Sequence, residues 1–155
     1  MIAPRGQWIA AEDFIAALTP RTRVVSVSLV RFDDGSMLDA AKLGAACRAQ
    51  GTVLALDVSQ CCGAMPLDVR RLGADFITCS GYKWLLGPYG TGFFWGKREL
   101  MASFRPGPYY WQGIAGLTDY SALIFENPEA AQGGRPWDAS ETASYFNLAG
   151  WDASL

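Results

Sequence analysis

Apolar residues along this chain recur in two periods, and the switches between them predict its elements. Phe14, Ile15 and Leu18 fall on one side of the alanine-rich stretch Ala11 to Leu18, and Thr19-Pro20 stops it, which predicts a short helix. Arg23 to Arg31 reads RVVSVSLVR, a β-branched run that predicts a strand. Asp33, Asp34 and Gly35 predict a turn. Leu38 to Gln50 then returns to helical spacing through Ala40, Leu43, Ala46 and Cys47, ended by Gly51. Thr52 to Leu56, TVLAL, is nearly continuously apolar, the character of a parallel strand buried on both faces.

Strand, helix and strand joined by short connections form a right-handed crossover unit, so the predicted fold class is α/β. Beyond Asp57 the pattern predicts a loop with Gly63 and Pro66, a short helix over Val69 to Leu72 and a third strand over Asp75 to Cys79. A glycine-rich loop, Gly81 to Gly92, leads to a strand over Thr91 to Trp95 and a short helix over Lys97 to Phe104. Arg105 to Gly134 reads as loops, with GPYYWQG and NPEAAQGG as its turn-rich parts. Ser140 to Leu155 regains helical spacing through Tyr145, Leu148 and Trp151 and stops before a C-terminal cap.

Composition narrows the function classes. A chain of 155 residues, 50% of them hydrophobic, can bury one core. A net charge of −2, with Lys and Arg scattered, offers no basic stripe for nucleic acid. No run approaches the roughly 18 uninterrupted apolar residues of a membrane span, and acidic residues interrupt the N-terminus before a secretion segment develops. The expectation is a soluble cytoplasmic protein without a membrane partner. Cys47, Cys61, Cys62 and Cys79 lack the two-residue spacing of a zinc knuckle or thioredoxin motif and read as small buried thiols. Histidine is absent, which removes Ser-His-Asp and Cys-His sites and the commonest zinc ligand. Catalysis here must use lysine, carboxylates, tyrosine or a cofactor.

The chemistry gathers in LALDVSQCCGAMPLDVRRLGADFITCSGYKWLLGPYGTGFFW. Asp57 ends one apolar strand and Lys83 follows another, and ligands of open α/β sheets bind beyond the carboxyl ends of strands. The two residues are therefore expected to face one pocket. Trp84, Leu85 and Leu86 are expected to desolvate Lys83 partly, favouring the neutral amine that attacks a carbonyl.

The spacing Asp57, Gln60, Gly63, Pro66, Asp68, Asp75, Ser80, Lys83, Gly87, Pro88, Gly90 and Gly92 resembles the signature of class V aminotransferase-like pyridoxal phosphate (PLP) enzymes. Ser26, Ser28 and Gly35 also stand where that family would place them. The resemblance implies part of the large, PLP-binding domain of the fold-type I (aspartate aminotransferase-like) architecture, a mostly parallel sheet with flanking helices. It implies that residues 1–155 are a partial domain. The domain's N-terminal part, with the ring-stacking aromatic and the phosphate-holding turn, is expected to be missing. So is the C-terminal small domain, with its carboxylate-binding arginine.

For the site, the resemblance implies that Lys83 forms the Schiff base with pyridoxal 5'-phosphate and serves as acid and base at the substrate α-carbon. Asp57 would bond the protonated pyridine nitrogen, Gln60 the ring oxygen, and Ser80 the phosphate. The family usually has histidine before the lysine. Here Tyr82 stands there, able to donate one hydrogen bond but carrying no charge. This SGYKW variant is similar to that of epimerase, C-S lyase and kynureninase-like branches. RPWDASET resembles a later family stretch whose threonine reaches the phosphate across a dimer interface, which implies a role for Thr142 and a homodimer in the full-length form.

The implied activity is PLP-dependent conversion of an amino-acid substrate, by an aminotransferase or a related lyase, desulfurase or epimerase. The alternative is a catalytically inactive fragment or interaction module derived from such an enzyme. A nucleotide-binding domain is disfavoured, because GPYGTGFFWGK fits neither G-x-x-x-x-G-K-[ST] nor G-x-G-x-x-G. Tyr109, Tyr110 and Trp111 line either a substrate mouth or a subunit contact.

Overall fold

A computed structural model describes residues 2, 5, 6, 8–104, 110–117, 121, 128–138 and 144–155. They form two compact units, one of residues 1–96 with 146–155 and the other of residues 97–145.

In the first unit, α1 (Ala11–Ala17) begins where the buried Asp13 carboxylate accepts the Ala10 N–H at 2.9 Å, and β1 (Val24–Ser28) follows. The strand is shorter than RVVSVSLVR suggests. Leu29 N still donates to Asp57 O of the neighbouring strand at 2.9 Å, but from the Leu29 carbonyl on, the backbone bonds to its own turn: Leu38 N donates to Leu29 O, and Arg31 N to Ser36 O. α2 (Ala40–Ala49) starts two residues later than its apolar pattern because Asp39 caps it, accepting the Lys42 N–H at 3.0 Å. β2 (Val53–Asp57), α3 (Val69–Leu72), β3 (Phe76–Ser80) and β4 (Gly92–Gly96) complete the run. Asp68 caps α3, and Asp75 accepts the Leu54 N–H at 2.9 Å, which fastens the start of β3 to β2.

The sheet has the order β1-β2-β3-β4, parallel throughout its first three strands and antiparallel at β4. Leu43 and Cys47 of α2 pack with Phe14 of α1, Leu54 and Leu56 of β2, and Ile77 of β3 to make the core. Each fully buried leucine or isoleucine contributes about 1.5–3 kcal/mol. Burial is one-sided, contrary to the expectation for TVLAL. Leu54 and Leu56 are sealed, while Val53 and Ala55 on the opposite face are half-buried and their neighbour Val24 is exposed.

In the second unit, α4 (Arg98–Ser103) precedes two short 3-10 turns, Trp111–Gly113 and Arg135–Trp137. An antiparallel bridge between Ile114 and Ala130 closes the segment between the turns. Tyr110 and Trp111 hold their rings 4.9 Å apart, and Pro136 is buried. α5 (Tyr145–Asp152) returns the chain to the first unit from Phe146 onward. No helix among the described residues is long and apolar enough to cross a membrane.

Candidate functional site

Parallel strands end on the same side of their sheet, so β1, β2 and β3 bring their last residues together. The register sets Ser28 beside Asp57 and Asp57 beside Thr78. Partners in register share a face, and so do residues two apart on one strand. Ser28, Asp57, Thr78 and Ser80 therefore stand on one face, opposite the face that buries Leu54, Leu56 and Ile77.

Asp57 is exposed, and one of its oxygens accepts the Ser59 N–H at 2.8 Å. A carboxylate has about four acceptor positions, so among the described residues most of its capacity is unused. The buried Ser59 hydroxyl accepts the Ser80 N–H at 2.8 Å, and Val58 N donates to Thr78 O at 2.9 Å. The segment after β2 is thereby tied to the end of β3. The side chains of Gln60 and Ser80, both half-buried, have no hydrogen-bond partner among the described residues.

Lys83 lies just past β3 in a closed turn, with Leu86 N donating to Lys83 O at 3.0 Å and Gly87 N to Gly81 O at 2.9 Å. The lysine is exposed and makes no ion pair with Asp57. The expected apolar surroundings are absent here: Trp84 and Leu86 are 54% and 76% exposed, and only Leu85 packs toward the core. The turn itself explains this, because its reversal directs Trp84 and Leu86 outward. Leu86 is the one non-glycine residue with positive φ (53°) among those described.

Two glycines fix the turn against its surroundings. A Cβ on Gly63, whose φ is +95°, would lie 2.5 Å from the Trp84 carbonyl oxygen, so only glycine lets the Asp57 segment touch the lysine turn. A Cβ on Gly87 would lie 2.6 Å from Trp151 Cδ1 of α5. Lys83 Nζ sits 5.3 Å from the centre of the Tyr82 ring, which stacks on Tyr89 with centroids 4.6 Å apart.

Cys47, Cys61 and Cys79 are buried thiols, as expected, whereas Cys62 is half-buried. Burial, then the neighbouring Cys62, pushes Cys61 up to about 11 and Cys79 up to about 12. All four are free, and no group of metal-ligand type gathers among the described residues. Thr142 lies outside the described residues, as does Tyr109.

The fold thus brings Asp57, Gln60, Ser80, Tyr82 and Lys83 into two segments joined through Gly63. Sequence reasoning missed Thr78, Ser59 and Tyr89. Thr78 was findable, since strand alternation places it on the face of Ser80; the other two carry no periodic signal.

Comparison with known proteins bears on the family and the fold. The family model described as aminotransferase class-V matches residues 3–115. A probable cysteine desulfurase of Streptomyces coelicolor is 30% identical over 143 residues, covering 89% of this chain and 34% of that protein. Isopenicillin N epimerase of Streptomyces clavuligerus is 42% identical over 79 residues, 51% of this chain and 20% of the epimerase. Among solved structures, C-DES superposes with a TM-score of 0.79 at 28% identity, over 93% of this chain and 37% of its own, in a form with glycine covalently linked to its PLP cofactor. C-DES is described as a cystine C-S lyase and has also been solved with its product, cysteine persulfide. The chain spans about a third or less of the curated relatives it matches.

Proposed function

Because this chain belongs to the aminotransferase class-V family, we propose that it forms part of the cofactor-binding domain of a pyridoxal 5'-phosphate enzyme acting on an amino acid, with Lys83 as the attachment point. The observation that carries this reading is the joint at Gly63. There the segment that follows the Asp57 carboxylate meets the turn bearing Lys83, whose amine has no carboxylate partner among the described residues.

The donor set fits the cofactor: an aldehyde needs an amine, a basic ring nitrogen needs a carboxylate, and a phosphate needs hydroxyl donors. When bound, pyridoxal phosphate supplies an electron-withdrawing ring that acidifies the α-carbon of an amino acid. Asp57 would accept the proton of the ring nitrogen and keep it cationic. Gln60 would direct its amide to the ring oxygen, and the hydroxyls of Ser80 and Tyr82 would donate to the phosphate. Thr142 is proposed as a further phosphate donor from the partner subunit's side of a homodimer. Lys83 Nζ would remove and return the proton at the substrate α-carbon.

The remainder of the large domain and a small domain are proposed to complete the site in the assembled enzyme, since C-DES and the two curated relatives are each far longer than this chain. Those relatives carry the names of three different reactions, so the proposal extends to the class of aminotransferases and related lyases, desulfurases and epimerases. The exposure of Lys83 favours a second reading, a catalytically silent module derived from such an enzyme.

Covalent capture separates the two. The chain carries three lysines, Lys42, Lys83 and Lys97. Incubation with pyridoxal phosphate, borohydride reduction and peptide mass spectrometry are expected to find the label on Lys83 ahead of the other two, and to lose it in Lys83→Arg. Equal labelling of all three lysines would overturn the reading.

A further inference from the structure

We infer that Tyr89 is a positioning residue for Lys83, acting through the ring of Tyr82 and itself held by α5. The inference rests on the proposed attachment role of Lys83 and adds what keeps that amine in one place.

A lysine carries four rotatable side-chain bonds, and an exposed one ordinarily sweeps a wide volume. Lys83 has no carboxylate partner among the described residues. Its ammonium instead sits 5.3 Å from the Tyr82 ring centre, inside the range where the negative face of an aromatic ring attracts a cation. The Tyr82 ring is in turn fixed by Tyr89, with centroids 4.6 Å apart and planes inclined by 24°. Tyr89 is 79% exposed, so burial does not account for its location; the stack on Tyr82 is its aromatic contact.

The backbone beneath the stack is fastened from α5 and the turn that follows it. Asn147 Nδ2 donates to the Tyr89 carbonyl at 3.1 Å, Trp151 lies against Gly87, and Ser154 Oγ donates to the Leu85 carbonyl at 2.9 Å. Asn147 and Trp151, at i and i+4, share one face of α5, and Ser154 lies in the turn that follows it. They engage residues 85, 87 and 89 on the far side of the turn from Lys83. Leu86, between the contacts, holds a backbone conformation that a leucine does not choose for itself, the mark of a turn shaped from outside. The line of support runs from Asn147 through Tyr89 and Tyr82 to the lysine amine.

Two measurements on the same chain test this. Reductive methylation with ¹³C-formaldehyde gives each of the three lysines an NMR signal, and loss in Lys83→Arg assigns that of Lys83. The Tyr82 ring current is expected to displace the Lys83 signal. Tyr89→Phe, which keeps the stack, is expected to preserve the displacement, and Tyr89→Leu to collapse it, while the Lys42 and Lys97 signals report an unchanged fold. The rate of pyridoxal phosphate capture at Lys83 is expected to shift about two- to five-fold in Tyr89→Leu and to return in Tyr89→Phe. If Tyr89→Leu leaves both the signal and the capture rate where they were, the positioning role is overturned. Absence of capture at Lys83 in the unaltered chain would instead overturn the cofactor reading, and the ring-current comparison would still decide whether Tyr89 seats the lysine.

Discussion

Asp57 and Lys83, the two ends of the proposed site, are held by different means. Asp57 belongs to a strand, and its position follows from register: Ser28 on one side, Thr78 on the other, and Leu56 one residue back in the sealed core. Lys83 belongs to a turn with little burial of its own, and its position follows from contacts made by Gly63, Tyr82 and the distant helix α5. The acidic end is thus built into the core, whereas the lysine end is held from outside, and the two should respond differently to substitution.

The largest expected effect lies on the core side. Leu56→Ala removes a fully buried side chain beside Asp57 and is expected to cost about 2–5 kcal/mol in denaturant unfolding. A loss below 1 kcal/mol would break the contrast. Gly63→Ala strikes the joint itself, combining a positive φ with a 2.5 Å approach to a backbone oxygen; about 2–3 kcal/mol of lost stability is expected. Asp57→Asn should leave unfolding nearly unchanged while weakening pyridoxal phosphate binding at least ten-fold, since a charge-assisted bond of about 1.5–3 kcal/mol would be lost. Spectroscopic titration at fixed salt measures it.

Asn147→Ala is expected to cost about 1 kcal/mol or less globally, yet to speed hydrogen exchange at the amides of Leu86 and Gly87. If protection is instead lost evenly across the sheet, the lysine turn is not separately held. An effect confined to alkaline conditions is a pH dependence of the core side. Burial raises Cys61 and Cys79 above the usual thiol range, so between about pH 9 and their folded values of about 11 and 12 the unfolded chain has lost protons that the folded chain keeps. Stability therefore falls as pH rises through that window. Cys79→Ala should flatten the decline seen in alkaline unfolding curves.

The same contrast explains what could be read from the sequence. Strands and helices of the first unit emerge within a few residues of their apolar patterns, and the α/β class with a mostly parallel sheet follows from them. Boundaries moved where a side chain or turn took over the backbone, as at Asp39 before α2 and Leu29 after β1. The one-sided burial of β2 was not legible, because a run of apolar residues reports capacity for burial and not which face is covered. The surroundings of Lys83 were misread for a related reason. Trp84, Leu85 and Leu86 adjoin it in sequence, but a turn with a positive φ at Leu86 sends adjacent side chains in different directions. The stack of Tyr89 on Tyr82 and the grip of α5 depend on loop closure and on residues more than fifty positions away, and no period encodes either.

The antiparallel direction of β4 has a consequence for how the lysine segment can change over time. A parallel successor to β3 would require a crossover of a dozen or more residues, usually a helix. Reversal lets the chain come straight back, so Lys83 rides on a short loop with both feet on the same pair of strands, Ser80 facing Gly92 and Cys79 facing Phe93. Substitutions in such a loop act locally, on contacts such as those of Gly87, Tyr82 and Tyr89. Inserting or deleting a residue could slide β4 by a single position, turning Trp95 out of the core and Phe94 into it. The segment is therefore constrained in length as well as at the residues that seat the lysine.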